Sequence, residues 1–134
     1  MNQIQNIETE KEKETFFDCC KGLGKTILES VEYKRYLDAR EIFRRDEQAK
    51  LILREYNMAL SEYNQKTRGG TDLYADYQKL GNMEKEVKQN ETLKNYFDSQ
   101  DSLANFYKEI NEYISGKLNF NFASLAKPAS SCCS

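Results

Sequence analysis

The chain has 134 residues, 39% of them hydrophobic and 31% charged, with one proline, six glycines and a formal charge of -2; its mean hydropathy is -0.85. That is enough for one domain with a core and too little for two joined by a linker. Histidine is absent, which excludes Ser-His-Asp and Cys-His catalysis, HExxH zinc sites and histidine-ligated haem, while 20 basic against 22 acidic residues disfavour a freestanding nucleic-acid binder.

The opening stretch, residues 1–14, is polar with alternating charge and only Ile4 and Ile7 as apolar anchors, and reads as a flexible start. It has neither the basic segment nor the apolar run of a secretion signal, and nothing later is apolar enough to span a membrane, so the expected location is cytoplasmic. From Phe16 the period becomes helical: Phe16, Cys20, Leu23, Ile27 and Val31 recur at three- and four-residue spacing, one stripe on a helix that Gly22 and Gly24 weaken and that needs tertiary support. Ser30 is the expected N-cap of a second helix carrying Tyr33, Tyr36, Leu37, Ala39, Ile42 and Phe43, and Asp46 caps a third.

In that third segment Ala49, Ile52, Tyr56, Leu60 and Tyr63 form the clearest seam in the chain, the pattern of a helix laid lengthwise against a partner. Gly69-Gly70 breaks it, and Thr71 is the natural cap of a fourth helix bearing Leu73, Tyr77, Leu80 and Val87. Asn90 caps the last and longest, lined by Leu93, Tyr96, Phe97, Leu103, Phe106, Ile110 and Ile114 and expected to stop at Ser115-Gly116. Residues 117–134, with Pro128, four serines and Cys132-Cys133, read as a flexible tail in which Phe120, Phe122 and Leu125 are available for docking.

These elements predict an all-α fold: an antiparallel helical hairpin or small bundle spanning 15–116. Seams this narrow bury little within one chain and favour self-association, so a dimer is expected. The residues assigned to a partner interface are Ala49, Ile52, Tyr56, Leu60, Tyr63, Leu103, Ile110 and Ile114. Cys20 falls on an apolar stripe, where a free thiol behaves as a small buried hydrophobe. Lys34, Arg35, Arg40, Arg44, Arg45, Lys50 and Arg54 are interleaved with Glu32, Asp38, Glu41, Asp46 and Glu47, and read as a mixed-sign solvated surface. Gly22 to Thr26 ends like a phosphate loop but lacks the first glycine and a preceding strand. No catalytic constellation is visible, so the chain reads as a non-enzyme.

The run Glu32 to Arg40, with its Tyr33, Tyr36, Ala39 cadence, followed by the Asp46 cap and Leu51 to Tyr56, resembles the YlbF/YmcA/YheA family of small bacterial helical regulators. The later block of Asn90, Leu93, Tyr96-Phe97 and the periodic helix from Leu103 to Ile114 is similar to the family's ending, and the C-terminal cysteines are most like the YlbF branch. The resemblance covers roughly 15 to 116. It implies a dimerising helical fold and a regulatory role by protein contact in a cytoplasmic YlbF–YmcA–YaaT complex. That complex modulates RNase Y in mRNA processing, and through it competence, sporulation and biofilm formation. It further implies a 4Fe-4S cluster shared among subunits, with Cys132 and Cys133 as this chain's candidate ligands. Two other readings stand beside it: an iron-sulfur or metal carrier using its own four cysteines, and a structural helical dimer without a cofactor.

Overall fold

A computed structural model describes residues 2–70 and 73–126. Five helices follow in order, α1 (Asn2–Glu29), α2 (Val31–Arg45), α3 (Glu47–Thr67), α4 (Tyr74–Gln89) and α5 (Glu91–Leu118), then a 3-10 turn at Phe122–Ala126. The described residues contain no strand, as the helical periodicity led one to expect.

Single-residue breaks set the architecture. Ser30 takes an extended backbone, its Oγ accepts the Tyr33 amide at 3.2 Å and donates to the Ile27 carbonyl at 2.6 Å, so one hydroxyl closes α1 and opens α2. Asp46 does the same between α2 and α3, its Oδ1 accepting the Ala49 amide at 2.9 Å. Asn90 separates α4 from α5, with Oδ1 accepting the Leu93 amide at 3.0 Å. All three caps are those the sequence called for.

Because each break costs one residue, α2–α3 and α4–α5 behave as two kinked rods. They fold back on each other past the turn at residues 68–70, where Gly70 supplies the positive φ of 72° that a side chain with a Cβ adopts only at a cost. Lys66 Nζ donates to both carboxylate oxygens of Asp76 at 3.1 and 3.0 Å, tying α3 to α4 beside this turn. Farther along, α3 packs on α4 and α2 packs on α5. Thr71, the expected cap of α4, lies outside the described residues; α4 begins at Tyr74 after Leu73, which makes no side-chain cap bond.

The core sits at the level of the two breaks. Ala49, Ile52, Val87 and Leu93 are buried together, with Phe43, Leu53, Tyr56 and Phe97 packed around them. Between α2 and α5, Ala39, Ser99 and Leu103 are also buried, and Ser99 is satisfied by donating to the Tyr96 carbonyl at 2.7 Å. The Tyr96 ring stacks on Phe43 at 4.8 Å and on Tyr36 at 6.1 Å, and burial, then Tyr36, push its hydroxyl above the ordinary value of 10.0. Full burial of a leucine such as Leu93 contributes roughly 2 kcal/mol.

The two ends of the chain depart from the sequence reading. α1 starts at Asn2, so the polar opening is helical, its charged side chains from Glu8 to Glu14 all exposed to water and drawn from good helix formers. At the other end α5 runs through Gly116 to Leu118, and the stop comes from Asn119, which takes the left-handed conformation at φ 57°. The chain then turns back: Ser115 Oγ accepts the Phe122 amide at 2.9 Å and Asn111 Oδ1 accepts the Ala123 amide at 3.0 Å. Phe120 and Phe122 nonetheless stay half exposed, each at 47%.

Candidate functional site

The structure turns much of the anticipated interface inward. Ala49, Ile52 and Leu103 are buried inside the chain's own hairpin, and Tyr56 packs against that core; Leu60 and Tyr63 are half-buried, with the Tyr63 ring 6.4 Å from Tyr77 of α4. The partner that the α3 seam required is therefore α4 of the same molecule, which packs beside it. Ile110 and Ile114 behave differently. Half-buried on the distal half of α5, beyond the hairpin core, they line a groove.

That groove is lined almost wholly by apolar side chains. Leu23 of α1 forms one wall and Phe106, Ile110, Tyr113 and Ile114 of α5 the other, with Glu109 at the edge, enclosing ≈ 430 Å³. It exists because α1 packs on no helix but α2. Phe16, Phe17 and Leu28 are exposed at 63%, 59% and 56%, and Tyr113 at 71%. Phe16 and Phe17 meet edge to face at 5.7 Å, covering only each other. Exposed singly such residues are ordinary; in a contiguous strip they mark an interaction surface.

Cys19 and Cys20 lie on this same helix and both are exposed, which corrects the expectation that Cys20 is buried: its stripe has no facing helix in the chain. Neighbours on one helix, they provide two thiols where a 4Fe-4S cluster takes four ligands, and among the described residues no three Cys, Asp or Glu side chains are grouped to hold a metal ion. The described part of the chain thus does not fit a cluster by itself. Cys132 and Cys133 lie outside the described residues.

The basic stretch is a mixed-sign surface. Glu41 receives both Arg44 at 3.0 Å and Arg45 at 2.8 Å, and Lys50 pairs with Glu47 at 2.6 Å, exposed contacts of little energetic weight. More informative is Asp46, whose second oxygen accepts the Thr92 hydroxyl at 2.7 Å, joining the α2–α3 break to the first turn of α5. The Ala49 amide, then the Thr92 hydroxyl, hold its carboxyl below the ordinary 3.8. Asp46 is thus a structural bolt between the rods. No described helix is long and apolar enough to cross a membrane.

On sequence alone the α1 stripe predicts a helix that needs tertiary support, without saying how little of it comes from this chain. The missed signal lay in its flanks. Positions 17, 19, 24 and 26, which border the stripe, carry Phe17, Cys19, Gly24 and Thr26, none of them charged, whereas a helix half turned to water carries charges at its borders.

Fold and surface together define a class: all-helical hairpin proteins that leave an apolar groove unfilled. A profile of the family described as control of competence regulator ComK, YlbF/YmcA, matches residues 17–119, and the chain belongs to that family. It is also similar in structure to a chain of the crystal structure of Bacillus subtilis RicA in complex with RicF, with a TM-score of 0.69 at 18% identity over 78% of this chain and 94% of that one. At such identity the likeness establishes the fold. No curated protein matches the chain.

Proposed function

We propose that this chain is a non-enzymatic cytoplasmic regulatory adaptor of the YlbF branch, acting by protein contact in a YlbF–YmcA–YaaT-like complex. There it modulates RNase Y-dependent mRNA processing and so influences competence, sporulation and biofilm formation. The observation that carries this reading is the set of exposed apolar side chains on α1, Phe16, Phe17 and Leu28, together with the apolar groove that Leu23 of α1 lines with the distal half of α5. A surface of that kind lowers its free energy by taking a helical protein partner rather than a small polar substrate. The family to which the chain belongs supports a role in competence control, and its structural neighbour comes from a two-protein complex. Its partners are a second copy or paralogous helical proteins of the YmcA and YaaT type, and contact with RNase Y is indirect. Cys132 and Cys133 act as two ligands of a cluster whose remaining ligands come from other subunits.

The test is anaerobic copurification of the tagged full chain from its host, with mass spectrometry and iron analysis. Recovery of helical paralogues, with iron present only when they are, is the expected result. An intact chain that returns alone overturns the adaptor role, and iron bound stoichiometrically by the lone chain replaces it with the carrier.

A further inference from the structure

The side of α3 turned away from the core has a periodicity of its own. Arg54, Met58, Ser61, Gln65 and Arg68 recur at four- and three-residue spacing, the rhythm of a seam that a second helix can follow, and all five are exposed. Phe43 of α2 joins Lys50, Leu53, Arg54 and Met58 around a shallow hollow of ≈ 440 Å³ on this seam. A second hollow of ≈ 370 Å³ continues it, with Asn57 and Ser61 lining both and Arg68 the second alone. Met58, 58% exposed, is an unbranched thioether of the kind that adapts to a docked surface.

The charges that line the two hollows have one sign. Neither hollow has an acidic side chain in its wall. Lys50 is held by Glu47 at 2.6 Å, but Arg54 and Arg68 have no ion-pair partner among the described residues. The two arginines stand two heptads apart, roughly 21 Å along the helix, and the hollow walls between them, Asn57, Ser61, Asn64 and Gln65 among them, are uncharged. A nucleic-acid strand carries a phosphate every ~3.4 Å and finds no cation across that span. A helix with carboxylates at the two-heptad interval pairs with both guanidinium groups, and its apolar side chains between them cover Phe43, Leu53 and Met58. No residue of α3 lines the groove between α1 and α5, so the two surfaces are separate.

We propose that this face of α3 docks an acidic amphipathic helix of a protein partner, one whose carboxylates meet Arg54 and Arg68 and flank an apolar stretch. This docking rests on the adaptor reading and gives the adaptor a second surface, through which it bridges the protein in its α1–α5 groove to an acidic one.

The probe is a fluorescein-labelled synthetic helix of about four heptads, with Leu at one seam position of each heptad, Glu at the other and Gln elsewhere. It is titrated with the reduced full chain and read by fluorescence anisotropy. Binding is expected to saturate and to weaken at least about fivefold as ionic strength rises from about 0.05 to 0.5 M. Arg54→Glu and Arg68→Glu each raise Kd about tenfold or more. Lys79→Glu makes the same charge change at an exposed lysine that lines neither hollow, and shifts Kd less than about threefold. A peptide with Lys in place of Glu binds the Arg54→Glu, Arg68→Glu double variant more tightly than it binds the parent. Circular dichroism of every variant stays that of the parent, because the substituted side chains are exposed.

A peptide that does not saturate, or one indifferent to Arg54→Glu and Arg68→Glu, overturns the docking. So does an oligouridylate that binds more tightly than the peptide and is lost on the same substitutions, which assigns the face to RNA. A chain that binds no peptide yet copurifies with helical paralogues overturns this inference alone and leaves the adaptor role standing. A chain that binds the peptide but returns from its host without partners does the reverse.

Discussion

At the level of Asp46 and Asn90 each helix-breaking side chain caps the helix that follows, Asp46 also holding Thr92, and the apolar residues between the breaks are closed off from water. Along α1 and the far half of α5 the composition is just as apolar, yet Phe16, Phe17 and Tyr113 lie open. The difference lies in chain connection rather than residue type. Two rods that follow each other closely in the chain have each other to pack on, while α1 leaves the kink at Ser30 with no second helix folded back along it. A saturated hairpin supplies rigidity; an unsaturated arm supplies the binding surface.

That contrast can be broken or sharpened by experiment. Leu93→Ala, at a fully buried position, is expected to cost about 2–5 kcal/mol in urea unfolding; a loss under 1 kcal/mol shows that the core lies elsewhere. Asn90→Ala removes the α5 cap and lowers stability by about 1 kcal/mol, read as a drop in thermal midpoint. Acid titration probes the bolt. Because the Asp46 carboxyl is lowered in the folded state, its contribution is fully present above the ordinary 3.8 and is lost as pH falls through the folded value. Stability therefore declines below about pH 4, and Asp46→Asn flattens that limb of the curve. The smallest effect belongs to the arm: Phe17→Ala, measured where the chain is monomeric, changes unfolding free energy by less than about 0.5 kcal/mol. A larger loss means that α1 is part of the core.

Native-state hydrogen exchange gives the same contrast residue by residue. Amides from Val87 to Leu103 are expected to exchange only through global opening, and those from Thr15 to Leu23 by local fraying. Equal protection in the two regions removes the distinction.

Ser30, Asp46 and Asn90 were legible as caps because an Asx or Ser side chain satisfies orphan amides through strictly local geometry. The family, too, was legible, from the Tyr33, Tyr36, Ala39 cadence and the Asn90 block, and the profile match over 17–119 upholds it. The α3 seam was visible as a seam, but its partner was not: periodicity reports that Ala49 and Ile52 want covering without saying by what. The end of α5 was misplaced for a related reason. Gly116 is a permitted stop, whereas Asn119 takes the left-handed backbone after which the Phe122 and Ala123 amides return onto Ser115 and Asn111.

By itself the sequence determined the helical class, the single-residue breaks and the residues that must leave water, since all of these follow from spacing along one chain. Only the tertiary structure decided which stripes found cover at home. The chain reversal after α3 gives α3 to α4 and α2 to α5, and the kink at Ser30 leaves α1 with none, because hydrophobic burial is indifferent to its partner and connectivity alone chooses it.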